Sequence, residues 1–205
     1  VLEVDRKRHL VYCEMVKGNV PAYFGECPGD IHTRILERMR QVLREELIPP
    51  YLLKNAVARL TQARETARHS RAAEDVLIPL GGEMYALLPW LGSYAFLALE
   101  RFLRIRCGAR LGLRGFESMR PYFMQFTMKV PPTEFFHILA EEAAGTIEPM
   151  ELLYPDEIPM FDKYDEYLPT ELVRRGFAYG ILDVKGMRAA VCSWANARID
   201  SPARS

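Results

Sequence analysis

The chain lacks paired cysteines: Cys13, Cys27, Cys107 and Cys192 stand far apart, with no C-x-x-C among them. The four histidines are equally scattered, so neither a zinc-ligand spacing nor a disulfide framework is present. Dispersed thiols and the lack of a signal-peptide pattern point to a reducing, cytoplasmic setting. Long apolar runs are missing too. The longest, Met84 to Leu99, is interrupted by Pro89, Gly92 and Ser93 and falls short of the roughly 18 clean residues of a membrane helix. No membrane partner is therefore expected.

Motifs for chemistry are absent as well. The phosphate-cradling loop G-x-x-x-x-G-K-S/T and the dinucleotide fingerprint G-x-G-x-x-G do not occur, nor do G-x-S-x-G or H-E-x-x-H. Asp156-Glu157-Ile158-Pro159 and Asp165-Glu166-Tyr167-Leu168 lack the fourth residue of a D-E-x-D/H box, and neither follows a buried strand. Asp162, Asp165 and Glu166 could pair carboxylates for acid–base work, but no nucleophile or histidine stands nearby. Asp165 is better explained as serving the positive end of the helix that follows. His137 reads as a partly buried structural residue. Gly112-Leu113-Arg114-Gly115 mimics the GXXG loop of KH domains, without the flanking helices that motif needs.

Net charge is also lacking: 27 Lys and Arg balance 27 Asp and Glu. What is present is an ordinary globular composition, 49% apolar and 26% charged over 205 residues. One α+β domain over residues 1–200 is expected, with a frayed tail at 201–205. From its start inside an apparent strand, a piece of a larger protein is expected.

Strand character covers 9–17, followed by a loop with Pro21, Gly25 and Pro28. Asp30 predicts a helix N-cap before Ile31, Ile35, Met39 and Val42. A second helix over about 51–71 turns Leu53, Val57, Leu60 and Ala67 inward and pairs antiparallel with the first. Residues 76–88 predict a hairpin around Gly81-Gly82. A helix from Tyr94 to about Cys107 packs through Phe96, Leu99 and Leu103. Strict alternation predicts a strand over 121–130. Thr133 caps a helix to about Ala144, Pro169 opens one through Tyr179, and the last spans about 186–198. The expected class is thus helix-rich α+β, with antiparallel strands and hairpins against packed helices.

The neutral total hides segregation. Residues 34–71 carry nine Lys/Arg against four Asp/Glu, and 101–129 carry seven against Glu117 alone. Residues 134–171 reverse this, with eleven Asp/Glu against Lys163. Arginine outnumbers lysine 21 to 6, and its planar fork suits phosphates and stacks on bases. Arg34 and Arg38 share a helix face, as do Arg64, Arg68 and Arg71. The candidate nucleic-acid contacts are Arg101, Arg104, Arg106, Arg110, Arg114 and Lys129; the alternative for each is a solvated helix face. Trp90, in a Pro/Gly turn, either stacks on a base or packs in the core. The acidic block repels nucleic acid and is expected to face solvent or dock a basic partner protein.

Five segments in order carry a resemblance: Pro21-Ala22-Tyr23-Phe24-Gly25 into Ile31-His32 through Leu43; Tyr51-Leu52 through Arg64; Leu88-Pro89-Trp90-Leu91-Gly92; Lys163-Tyr164-Asp165-Glu166-Tyr167-Leu168-Pro169; and Leu182-Asp183-Val184. Together they resemble the DEAD/H-associated region behind the motor domains of large helicase-related (Lhr-type) superfamily 2 helicases. The resemblance implies an accessory domain that helps form a single-strand channel and braces the motor domains of the same protein. It implies DNA in preference to RNA as the strand. No catalytic residue is carried over: ATP and Mg²⁺ belong to the motor domains, and no cofactor is expected in this chain.

Overall fold

The computed structural model describes residues 3–5, 8, 10–12 and 30–199. The expected strand over 13–17, the loop with Pro21, Gly25 and Pro28, residues 21–25 of the first segment of the resemblance and the tail at 201–205 lie outside the described residues. A short antiparallel pair, β1 (Glu3–Asp5) and β2 (Leu10–Tyr12), precedes them.

Two helices follow, α1 (Thr33–Arg44) and α2 (Lys54–Ser70). The N-cap of α1 is His32, whose Nδ1 accepts from the Arg34 amide at 3.2 Å, rather than Asp30. The Asp30 carboxylate is engaged elsewhere, accepting from the Tyr94 hydroxyl at 2.7 Å. Leu53 does not turn inward: it precedes α2 and is 74% exposed. Nor do the helices form a simple antiparallel pair. From within α2 the Arg64 guanidinium donates to the carbonyls of Val42, in the last turn of α1, and of Glu46 and Leu47 just beyond it. Arg40 donates likewise to Ala73 and Glu74 at 2.6 and 2.9 Å.

The hairpin β3 (Leu77–Gly81) and β4 (Met84–Leu87) turns at Gly81 and Gly82, whose φ values of 116° and 57° glycine alone adopts without strain. With β5 (Arg114–Met119) and β6 (Phe123–Thr127) it forms an antiparallel sheet in the order β3-β4-β6-β5. Alternation on β6 sends Met124 and Phe126 inward, with Met128 beyond, all buried. Leu77, Tyr85 and Leu87 share that inner face through the ladder register.

Across that face lies α3 (Ser93–Arg101), which runs through a π-helical turn (Phe102–Cys107) into α4 (Gly108–Leu111). The helix thus extends past the expected end at Cys107. Phe96, Leu99, Phe102 and Leu103 are wholly buried. The wider turn carries the Leu103 carbonyl toward Gly108, where an added Cβ would sit 3.3 Å from it. The π turn also buries Cys107, and desolvation, aided by Glu142, pushes its thiol up to about 12. Iodoacetamide at neutral pH is therefore expected to label the exposed Cys192 and spare Cys107 until unfolding. Native-state labelling of Cys107 would contradict this packing.

The remaining helices α5 (Pro132–Ala144), α6 (Thr170–Gly180) and α7 (Val184–Ile199) close the core through Phe135, Leu139, Phe177 and Met187. Pro131 rather than Thr133 occupies the N-cap of α5. The fold is α+β and helix-rich, as the sequence predicts. Among the described residues no helix is long and apolar enough to cross a membrane.

Candidate nucleic-acid interface

The six basic candidates divide by what their side chains already touch. Arg101 projects from the end of α3 into the protein. Its Nη1 donates to Glu157 Oε2 at 2.6 Å and to the Leu152 carbonyl at 3.1 Å, and its Nη2 pairs with Glu157 Oε1. The rings of Tyr154 and Phe177 flank the guanidinium at 5.2 and 4.9 Å, and its Nε–H is buried without a partner. The Arg101 bond holds the Glu157 carboxyl below its usual range against the opposing desolvation. This arginine is enclosed and presents no fork to a phosphate.

Arg106 reaches Glu151 at 3.3 Å and Glu142 at 3.7 Å, and donates to the Thr146 carbonyl. Arg110 spans Glu141 and Glu142 at 2.6 and 2.8 Å. The basic and acidic blocks are therefore not two separate surfaces. Four of the eleven acids in the block, Glu141, Glu142, Glu151 and Glu157, are turned onto the α3–α4 arginines. Arg104 lies 4.4 Å over the Phe116 ring, donates to the Phe116 carbonyl on the edge strand β5, and reaches Glu100 at 3.3 Å.

Arg114 and Lys129 differ. Both are exposed, and among the described residues neither side chain has a polar partner. Arg114 opposes Thr127 in the β5–β6 ladder, and Lys129 follows two residues on, just past the end of β6, with its aliphatic stem beside Gly112. The outer face of the sheet carries Phe123, Gln125 and Thr127 from β6, Met84 and Ala86 from β4, and Met119 and the exposed Glu117, opposite Gln125, from β5. Phe123, Gln125 and Thr127 stay partly exposed, and none joins the core. The result is an open antiparallel platform, aromatic and polar at its centre and cationic at one end. Alternation on 121–130 makes Phe123 legible as outward-facing; its companions on β5 carry no such signal.

Trp90 stands at the opposite end of β4. Its φ of 56° is unusual for a bulky residue, and its indole N–H is buried without a partner. Its ring is half-buried, with the Arg40 guanidinium 6.0 Å from its centroid. The turn it makes delivers Gly92 and Ser93 onto the start of α1, where the Ser93 amide donates to Ile31 and the Gly92 amide to Thr33 Oγ1. The sheet separates Trp90 from the Arg114–Lys129 end.

The other side chains singled out above have structural tasks. Buried Asp165 accepts from the amides of Phe161 and Asp162 at 2.7 and 2.8 Å, so it holds its own loop rather than the start of α6. His137 is 71% exposed, beside Glu141, and not partly buried. Gly112 ends α4 in the left-handed conformation, and Gly115 has φ 55° at the irregularity in the β5 ladder. Arg64 is buried against carbonyls, and the exposed Arg71 pairs with Asp75 at 2.6 Å, which leaves Arg68 as the member of that trio without a polar partner among the described residues. Among the described residues no three His, Cys, Asp or Glu side chains gather into a metal-binding group. No family model, curated protein or solved structure matches the chain.

Proposed function

We propose that the chain is a nucleic-acid-facing accessory domain of an ATP-dependent DNA helicase, helping to form the single-strand channel and bracing the motor domains, with no catalytic residue of its own. The protein class rests on the resemblance of the five sequence segments. The contact surface rests on one observation: the open sheet face, where Phe123 lies among Gln125 and Thr127, with Arg114 and Lys129, neither with a polar partner among the described residues, at its end. Exposed aromatics on a sheet accept bases by stacking, which contributes about 1–3 kcal/mol per base, while unpaired cations neutralise phosphates. Arg101, Arg106 and Arg110 stay with their glutamates and serve the scaffold.

Fluorescence anisotropy of labelled oligo-dT and oligo-rU against the whole chain tests this. Weak binding at low salt, falling as salt rises and favouring dT, is expected. Exchanging Arg114 and Lys129 for alanine together should lower the salt slope by about two, since each phosphate contact contributes roughly one. Phe123→Ala should weaken binding without altering that slope, and Arg110→Ala should leave it unchanged. No binding at low salt, or binding indifferent to all these changes, would sink the reading.

A further inference from the structure

We infer that the open face of α1 is a docking groove for an acidic amphipathic helix of a partner protein, a surface separate from the sheet face. In α1 only Leu36 is buried. Ile35, Met39 and Val42, at i, i+4 and i+7, form a ridge along one side, with Ile35 54% and Met39 45% exposed. With Leu43, Arg34 and Arg38 they line a groove of about 500 Å³.

The helix is held to the protein by polar clamps instead of its apolar ridge. Arg40 and Arg64 join it to α2 and the segment after it through backbone carbonyls. Ser93 and Gly92 fix its start. Among the described residues nothing covers the ridge of this firmly placed helix, the arrangement that helix-in-groove recognition uses, and Met39 adds an adaptable surface.

Charge selects the occupant. Arg34 and Arg38 stand one turn apart on one flank of the ridge; among the described residues Arg34 has no polar partner, and Arg38 reaches only Glu45 at 2.8 Å. A partner helix with carboxylates beside its apolar stripe complements that flank. A second copy does not. Two-fold antiparallel pairing of α1 sets the arginine flank of one copy against the same flank of the other, like charge on like.

The probes are two labelled peptides of identical apolar stripe, one flanked by glutamates and the other by lysines, titrated against the whole chain. The glutamate peptide is expected to bind about tenfold more tightly at low salt, since two exposed ion pairs contribute modestly each. Met39→Glu should abolish binding, and Arg34→Glu with Arg38→Glu should reverse the preference; both positions are exposed, so the variants fold. Equal affinity for both peptides, or binding of neither, overturns the inference. So does self-association of the chain that Met39→Glu abolishes, because the groove would then hold a second copy.

Discussion

Arg101→Met is expected to lower the unfolding free energy by about 3 kcal/mol, the largest loss of any single arginine among the described residues. The side chain is 8% exposed, and its loss strands the Glu157 carboxylate, itself 21% exposed, without its cation. The Leu152 carbonyl and the Tyr154 and Phe177 rings lose their partner at the same time. For a chain of this length the midpoint should drop by about 10 °C. Glu157→Met should do comparable harm by leaving the guanidinium buried and unpaired. The double variant should recover part of the loss, because an apolar pair of similar volume avoids both desolvations. Thermal melts of the four proteins decide the matter. Two independent losses that simply add would show that the pair carries no coupling.

The same pair sets a pH dependence. Glu157 is depressed in the folded state, so its contribution is fully present above the unfolded carboxylate value of about 4.3 and fades as pH falls through the folded value. Below that range the wild-type carboxyl is protonated, and the gap between wild type and Glu157→Met should narrow.

The pairing across the charge blocks explains how far the sequence can be read. Helix and strand positions follow from period and turn chemistry. The alternation through Met124, Phe126 and Met128 and the Gly81-Gly82 turn need only neighbours in the chain. Ion pairing does not. Arg101 finds Glu157 across 56 residues and Arg110 finds Glu141 across 31, and a run of like charge has no period that names its partner. So two blocks of opposite sign read as two surfaces, whereas the fold turns four acids of one, Glu141, Glu142, Glu151 and Glu157, onto the arginines of the other. Arg64 misleads for a related reason. Its helical spacing with Arg68 and Arg71 points to a shared outer face, yet its partners are carbonyls, which every residue possesses. The strand β5 hides because it is an edge with little burial on either face, so no alternation marks it. Phe123 carries no charge, so no run of like residues marks it as a contact. The outward half of a well-formed alternation is the signal that points to it.

Gly92→Ala is expected to separate α1 from the body of the protein. A Cβ at this position would lie 2.5 Å from both the Ile31 carbonyl oxygen and the Thr33 amide nitrogen. Both are backbone atoms, so no side chain can swing aside, and the segment before α1 must move. That movement strains or breaks the Ser93–Ile31 bonds at 2.9 Å and the Gly92–Thr33 bond at 3.0 Å. Overpacking and three lost hydrogen bonds together amount to about 3–5 kcal/mol. The damage should be local at first, because α1 buries Leu36 alone while Phe96 and Leu99 sit in a separate, fully enclosed core. Hydrogen exchange should therefore accelerate across α1 while β4, β6 and α3 keep their protection. Gly180→Ala, where an added Cβ meets nothing within 4 Å, is the control and should behave as wild type. Unchanged exchange in α1 of the Gly92→Ala protein would mean that the turn after Trp90 does not hold this helix. Faster exchange there, with loss of glutamate-peptide binding, would tie the placement of the α1 groove to a glycine lying outside it.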